Sequence, residues 1–197
     1  DARAALEEQT RQQQTVSSLL LEKGNRLHML EELARDYEGY NLAVKRALQF
    51  AANKPGVFGA VAQLMQVPEE YETAIEMILG GALQHIITAD EETAKAIIDH
   101  LRNNRLGRTT FLPLTAIRGR VLSQQERALL GAQGCLGVAS ELVTYDKRFE
   151  GIIQNLLGRT VIVRDLDCAI ALSRQSGQAF HVVTLAGDVM RAGGAMT

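Results

Sequence analysis

The sequence predicts an α+β fold in which two related helix–strand–helix–strand lobes follow one long coiled-coil helix. Three observations carry that prediction. The first is a heptad seam: Gln13, Val16, Leu20, Lys23, Leu27, Leu30, Ala34, Tyr37, Asn41, Val44 and Leu48 recur at spacings that alternate three and four, the period of a helix that buries one stripe against another helix. The second is Asn53-Lys54-Pro55-Gly56, a cluster that ends a helix. The third is an order of elements that occurs twice. Tyr71-Glu72-x-Ala74-Ile75-x-x-Ile78-Leu79-Gly80 returns as Phe149-Glu150-x-Ile152-Ile153-x-x-Leu156-Leu157-Gly158, an offset of 78 residues.

Residues 1–50 are read as the arm, 51–121 as the first lobe and 122–197 as the second. Gly24 and Gly39 interrupt the arm and are candidate bends. Its seam has no second long heptad helix in this chain to bury it. The arm is therefore expected to be one strand of a coiled coil whose partner lies elsewhere. In the first lobe, Gly59–Val67 is an apolar run closed by Pro68, and Tyr71–Leu79 has one apolar helical face stopped by Gly80-Gly81. Gln84–Thr88 reads as a buried strand. Asp90 is placed to N-cap a helix through Leu101, and Arg108–Leu114 is a strand that Pro113 assigns to an edge. A short helix over Ser123–Leu130 and a Gly-rich connection lead to the second lobe. There Thr160–Val163 before Asp165, a helix with Ala169 and Leu172, and the strand His181–Leu185 repeat the earlier order. Gly187-Asp188 sits between apolar runs as a two-residue hairpin turn would.

The composition excludes several classes. Basic and acidic side chains balance in each third of the chain: seven and eight in residues 1–50, seven and eight in 51–120, seven and seven in 121–197. Nucleic-acid binding would therefore rest on a local patch. Cys135 and Cys168 form no CxxC pair and are expected reduced and buried. No apolar run reaches the ~18 residues of a membrane span, so a cytoplasmic chain without a membrane partner is expected. The four histidines show neither HxxxH nor HExxH spacing, and His85 and His181 read as satisfied structural residues. Gly107-Arg108-Thr109 and Gly158-Arg159-Thr160 lack the GxxxxGK[ST] cradle of a phosphate-binding loop. No catalytic residue and no metal site is assigned.

Two features stand above this background. Between His100 and Gln125 lie Arg102, Arg105, Arg108, Arg118 and Arg120 with no acidic residue. Such a run suits salt-sensitive phosphate contact, or merely the C-terminal dipole of a solvated helix. Gly187 and the pair Gly193-Gly194 sit at the ends of the closing apolar elements, where glycine permits either an ordinary turn or a close approach between two subunits.

Taken together, a heptad arm entering GVFGAV (Gly56–Val61), YETAIEMILGGALQHIIT, GRTTFLPL, LGVASELVTYD, IIQNLLGRTVIV and a closing GDVMRAGGAMT resembles the hinge domain of bacterial SMC (structural maintenance of chromosomes) proteins. The resemblance covers Gly56 to Thr197, and the arm is similar to the incoming coiled coil. It implies a non-catalytic module that joins coiled-coil arms of a chromosome condensation and segregation ATPase and forms a homodimer, with one lobe of each subunit meeting the other lobe of its partner. The family's glycine motif at the dimer contact falls on Gly187, Gly193 and Gly194. Weak, non-specific DNA contact is implied near Lys54 at the arm–hinge junction, besides the arginines above. ATP, Mg²⁺, kleisin and accessory subunits are expected only at a head that this sequence lacks, and the setting implied is the cytoplasmic nucleoid. The family continues with further glycines, a basic run and a returning helix, so the second lobe is expected to be C-terminally truncated. A ligand-binding or regulatory domain on a coiled-coil stalk is the alternative, and it requires a concave site with converging polar groups.

Overall fold

A computed structural model describes residues 11–20, 23, 24, 26 and 39–197, which fall in two compact units, Asp1–Tyr40 and Asn41–Thr197. In the first unit residues 11–20 are helical, with Val16 and Leu20 exposed. The seam positions Leu27, Leu30, Ala34 and Tyr37 lie outside the described residues.

The last part of the expected arm belongs to the second unit. Gly39 takes a φ of +92° and Asn41 starts a new helix, its side-chain oxygen accepting from the backbone N–H groups of Ala43 and Val44. This helix, α1 (Leu42–Ala51), buries Ala43, Val44, Ala47, Leu48 and Ala51. Val44 and Leu48 thus find their partners inside the domain, and the polar seam residue Asn41 is a helix cap.

Each lobe is built on one small sheet. In the first, β1 (Val57–Ala60) runs antiparallel to β3 (Ile86–Thr88), and β3 runs parallel to β4 (Phe111–Pro113), giving the order β1-β3-β4. In the second, β5 (Cys135–Val138) is antiparallel to β7 (Thr160–Val163), which is parallel to β8 (His181–Thr184); β9 (Val189–Met190) adds antiparallel to β8. The duplication therefore starts earlier than the helix at which it is legible. It includes an opening strand with a matching irregularity: the register slips between Val57 and Gly59 and between Cys135 and Gly137. Gly59 and Gly137 have φ of +124° and +145°, backbone that a side chain would strain.

The connecting helices form where their caps predict. Between β1 and β3 come α2 (Val61–Leu64), the short β2 (Met65–Gln66) and α3 (Glu72–Leu79). α4 (Glu91–Asn103) begins at Asp90, whose carboxylate accepts from Thr93 N–H. Ser123 and Glu126 form a reciprocal capping box on α5 (Gln124–Arg127). β6 (Thr144–Tyr145) precedes α6 (Glu150–Leu157), and α7 (Leu166–Gln175) begins at Asp165, the counterpart of Asp90. β2 pairs antiparallel with β6 and ties the lobes together. One core spans both lobes, with Val61, Ile75 and Ile87 of the first packed with Ile153, Ile162 and Val183 of the second. Each such aliphatic side chain contributes about 1.5–3 kcal/mol by leaving water, so the shared core holds the two lobes to each other. A smaller cluster, centred on Phe180 and Val161, lies under the second sheet.

Three local expectations change. The β8–β9 connection is longer than two residues: Val183 pairs with Val189, and Thr184 and Asp188 close the turn through their side chains at 2.9 Å. Both cysteines are free but only half-buried. His85 is not satisfied, since its buried Nδ1 has no partner.

Candidate functional site

The C-terminal segment is a hairpin on the edge of the second sheet. Thr197 N–H donates to Val189 O at 2.9 Å and Val189 N–H returns to Thr197 O at 3.0 Å, while Arg191 N–H donates to Ala195 O at 2.7 Å. Gly193 and Gly194 form its corner with φ of +89° and +97°. The corner is anchored to the lobe at two points: Gly193 N–H donates to Gln178 O at 3.0 Å, and Ala192 N–H donates to His181 Nδ1 at 3.0 Å.

The three candidate glycines have different surroundings. A Cβ on Gly187 would lie 2.8 Å from Met77 Cγ and 3.1 Å from Thr73 Cγ2, so this glycine lets the β8–β9 turn approach α3 within the same chain. A Cβ on Gly194 would meet Gln178 Oε1 at 3.2 Å, whereas one on Gly193 would meet nothing within 4 Å. Met196, just beyond the corner, is 56% exposed.

The first lobe offers a complementary feature. β4 is the edge of its sheet and has no strand on its outer side among the described residues. Beside it a groove of about 460 Å³ runs between α4 and β4, lined by Ile98, Arg102, Thr109, Phe111 and Pro113 among others. Ile98 is 38% exposed in it, high for an isoleucine on a helix whose Ala94, Ile97 and Leu101 are buried.

The basic stretch divides in two. Arg102, Arg105 and Arg108 line a depression of about 610 Å³ at the end of α4. Arg105 and Arg108 also line a neighbouring one with Arg46 and Asn41 at the start of α1. Arg46 lies outside the basic run picked out in the sequence, and only the fold brings it beside Arg105 and Arg108. Arg105 holds a φ of +54° in the turn that brings this loop back toward α1, and Gly107 (φ +93°) passes so close that a Cβ would sit 3.0 Å from the Cβ of Ala43. Arg102 pairs with Asp99 at 3.3 Å. Arg118 and Arg120 line none of these depressions. They lie on the connector between lobes, where Asn155 donates to Arg118 O at 2.8 Å and Gly158 leaves room for Arg120 O. Lys54 stands 4.5 Å above the Phe50 ring, which stacks on His100 at 3.6 Å.

One ion pair between the connector helix and the second lobe is structural. Arg159 makes a two-pronged pair with Glu126, at 2.6 and 3.0 Å, and also donates to Ala179 O and Val121 O. This pairing holds the Glu126 carboxyl down at about 2. Among the described residues no His, Cys, Asp and Glu cluster is able to hold a metal, and no helix is long and apolar enough to cross a membrane.

The family model for the SMC proteins flexible hinge domain matches residues 54–173. The chain belongs to the SMC hinge family. Chromosome partition protein Smc of Bacillus subtilis is 43% identical to this hinge over 170 residues, covering 86% of this chain and 14% of that protein. The protein of the same name from Lactiplantibacillus plantarum is 38% identical over 193 residues, covering 98% and 16%. The hinge thus spans about a seventh of the length of these curated relatives. Among solved structures, the SMC hinge domain of Geobacillus stearothermophilus, crystallised as an asymmetric dimer, has a TM-score of 0.80 at 43% identity over 88% of this chain and 71% of that one. The Pyrococcus furiosus SMC hinge has a TM-score of 0.66 at 29% identity, over 83% and 82%. A hinge is a connecting module and not a catalytic domain, in keeping with the absence of a catalytic assignment above.

Proposed function

We propose that this hinge forms a two-fold homodimer that joins two coiled-coil arms of a chromosome-partition ATPase, and that each contact sets the C-terminal hairpin of one copy against the open β4 edge of the other. The observation that carries this reading is the match between the two features. β4 has no outer neighbour among the described residues, and beside it lies a groove with exposed Ile98. The hairpin presents exposed Met196 and a corner at Gly193 with free space above it. The features lie on opposite lobes, so two copies satisfy both contacts and close without a remaining edge. Gly193, with Gly194 behind it, approaches the partner, and Gly187 supports the hairpin from within. The relative that crystallised as an asymmetric dimer supports self-association of the hinge, and the particular contact rests on the two features above.

The secondary role is weak, sequence-independent DNA contact by Arg46, Arg102, Arg105 and Arg108 near the start of α1, with Lys54 beyond its other end. Arg118 and Arg120 are peripheral to it. ATP, Mg²⁺, kleisin and accessory subunits act on parts of the longer protein that this chain does not span, and the working location is the nucleoid.

Solution mass tests the main reading. At tens of micromolar the chain is expected to be a dimer, and Ile98→Glu and Met196→Glu are each expected to shift it to monomer. Mixing the two variants restores one intact contact in a heterodimer, because one copy keeps Ile98 and the other keeps Met196. A wild-type monomer, or a mixture no more associated than either variant alone, refutes this head-to-tail pairing.

A further inference from the structure

The glycine corner is held by one anchor that titrates and one that does not. Gln178 O accepts from Gly193 N–H whatever the pH, but His181 Nδ1 accepts from Ala192 N–H at 3.0 Å only while that nitrogen carries no proton. The hydrogen bond therefore fixes a neutral ring with its proton on Nε2. His181 opens β8 opposite Thr160, so its backbone is locked in the sheet: its N–H donates to Arg159 O at 3.0 Å. The backbone that carries the ring therefore stays with the sheet if the bond breaks.

The charged groups around the ring act in the same direction. Arg191 approaches from the hairpin and Arg159 from the start of β7, and the charge of Arg159 is partly answered by Glu126 of α5. Among the described residues, the charged groups that bear on the imidazole are these two arginines. A proton added at Nδ1 thus removes the acceptor and places a third cation beside two arginines.

We infer that His181 is a proton-sensitive anchor of the Ala192–Gly193 corner, and that protonating it releases the corner and loosens self-association of the hinge. The inference rests on the dimer reading above for its functional consequence, but the anchor itself does not. Desolvation, then Arg191 and Arg159, hold the imidazole below its ordinary value of 6.5. Because the folded value is lowered, the support is complete above 6.5 and fades as pH falls below it. Loss of one neutral hydrogen bond corresponds to roughly a threefold to tenfold weakening of the dimer.

The experiment pairs two readouts on the 197-residue chain. Sedimentation equilibrium at about pH 7.5 and about pH 5 measures the dissociation constant of wild type and of His181→Asn, whose side-chain oxygen stands near the position of Nδ1 and does not titrate. Hydrogen exchange of the Ala192 amide, corrected for intrinsic rates, is followed over the same range. The expected result is a roughly threefold to tenfold rise in the wild-type constant on acidification, a flat response in His181→Asn, and loss of Ala192 protection that tracks titration of His181. An equal acid response in both proteins, or Ala192 protection that persists through the titration, overturns the inference. A chain that is monomeric at both pH values overturns the dimer reading instead, and Ala192 exchange then decides the anchor. The same exchange measurement decides it should His181→Asn fail to fold.

Discussion

Gly187 and Gly193 are six residues apart, and one alanine or asparagine at each separates folding from association. At Gly187 the backbone has φ +95° and an added Cβ would lie 2.8 Å from Met77 Cγ. Left-handed backbone costs a non-glycine residue about 1–2 kcal/mol. Overpacking adds about 1–3 kcal/mol, reduced here because Met77 is a flexible side chain and 44% exposed. Gly187→Ala is therefore expected to destabilise the folded chain by about 2–3 kcal/mol, a large share of a domain's margin. At Gly193 the φ is +89° but nothing lies within 4 Å of the added atom. Asparagine tolerates this backbone best among the larger residues, so Gly193→Asn is expected to lower stability by no more than about 1 kcal/mol.

The two losses are expected to appear in different assays. Urea unfolding monitored by circular dichroism, at concentrations low enough to keep the chain monomeric, should show a reduced midpoint for Gly187→Ala and nearly wild-type behaviour for Gly193→Asn. Solution mass at tens of micromolar should show the reverse: Gly193→Asn monomeric, and Gly187→Ala still dimeric wherever it remains folded. If Gly193→Asn dimerises like wild type, the open space above Gly193 is not where the partner sits. If Gly187→Ala unfolds no more readily than wild type, the close approach to α3 does not limit stability.

The other tests address the interior and the basic surface. Glu126→Gln keeps a side chain on the Ser123 cap but removes the charge facing Arg159. The depressed carboxyl contributes stability that is complete above its ordinary value of 4.5 and lost as pH falls toward about 2. Solvent access reduces that contribution to about 1–2 kcal/mol, so the variant should be weaker at neutral pH and have a flatter stability profile between about pH 5 and pH 2 in urea titrations. Thr160→Val should be neutral or stabilising by about 1 kcal/mol in the same assay, because Thr160 Oγ1 is buried without a partner. Asn41→Ala should cost about 1 kcal/mol through loss of the α1 cap. Combined Arg105→Glu and Arg108→Glu should abolish salt-dependent retention of DNA in a filter-binding assay, with Arg118→Glu having little effect; the opposite ranking would move the DNA surface to the connector.

What the sequence disclosed, and what it hid, follows from the range of the interactions involved. α4 and α7 were readable because Asp90 and Asp165 cap them locally and their apolar positions repeat every three or four residues. α1 was misassigned by the same rule. Asn41, Val44 and Leu48 continue the seam in step, and a three-four spacing looks alike on a coiled coil and on a helix packed into a domain. Only the φ of Gly39 and the burial of Ala43 and Ala47 separate the two, and neither is written in the spacing. β1 and β5 escaped because each is four residues long and bulged at a glycine, which destroys the alternation that marks a strand. Arg46 was present in the sequence but became part of a basic surface only once α1 folded against the loop carrying Arg105 and Arg108. The glycine motif falls on the β8–β9 turn and the C-terminal hairpin, but no spacing distinguishes Gly187, which faces Met77, from Gly193, which faces open space.

The two sheets differ in a way that bears on the pairing proposed above. The lobes share an opening bulged strand, an antiparallel and then a parallel ladder, and helices capped by equivalent aspartates. They diverge at the last position. The second sheet continues past β8 into β9 and the hairpin, whereas the first stops at β4 and the chain leaves along the connector, whose Arg118 carbonyl is taken by Asn155. Two identical finished lobes would offer no complementary edges, and two identical unfinished ones would invite open-ended stacking. One lobe whose edge is open among the described residues and one with an added strand would, on the pairing proposed above, give each copy a donor and a recipient surface. Because β2 pairs with β6 and one core runs through both lobes, the angle between those surfaces is set by the monomer's interior. On the head-to-tail pairing proposed above, buried residues such as Ile75 and Ile153 set whether two copies close into a ring, and core substitutions that tilt the lobes are expected to weaken the dimer before they unfold the monomer.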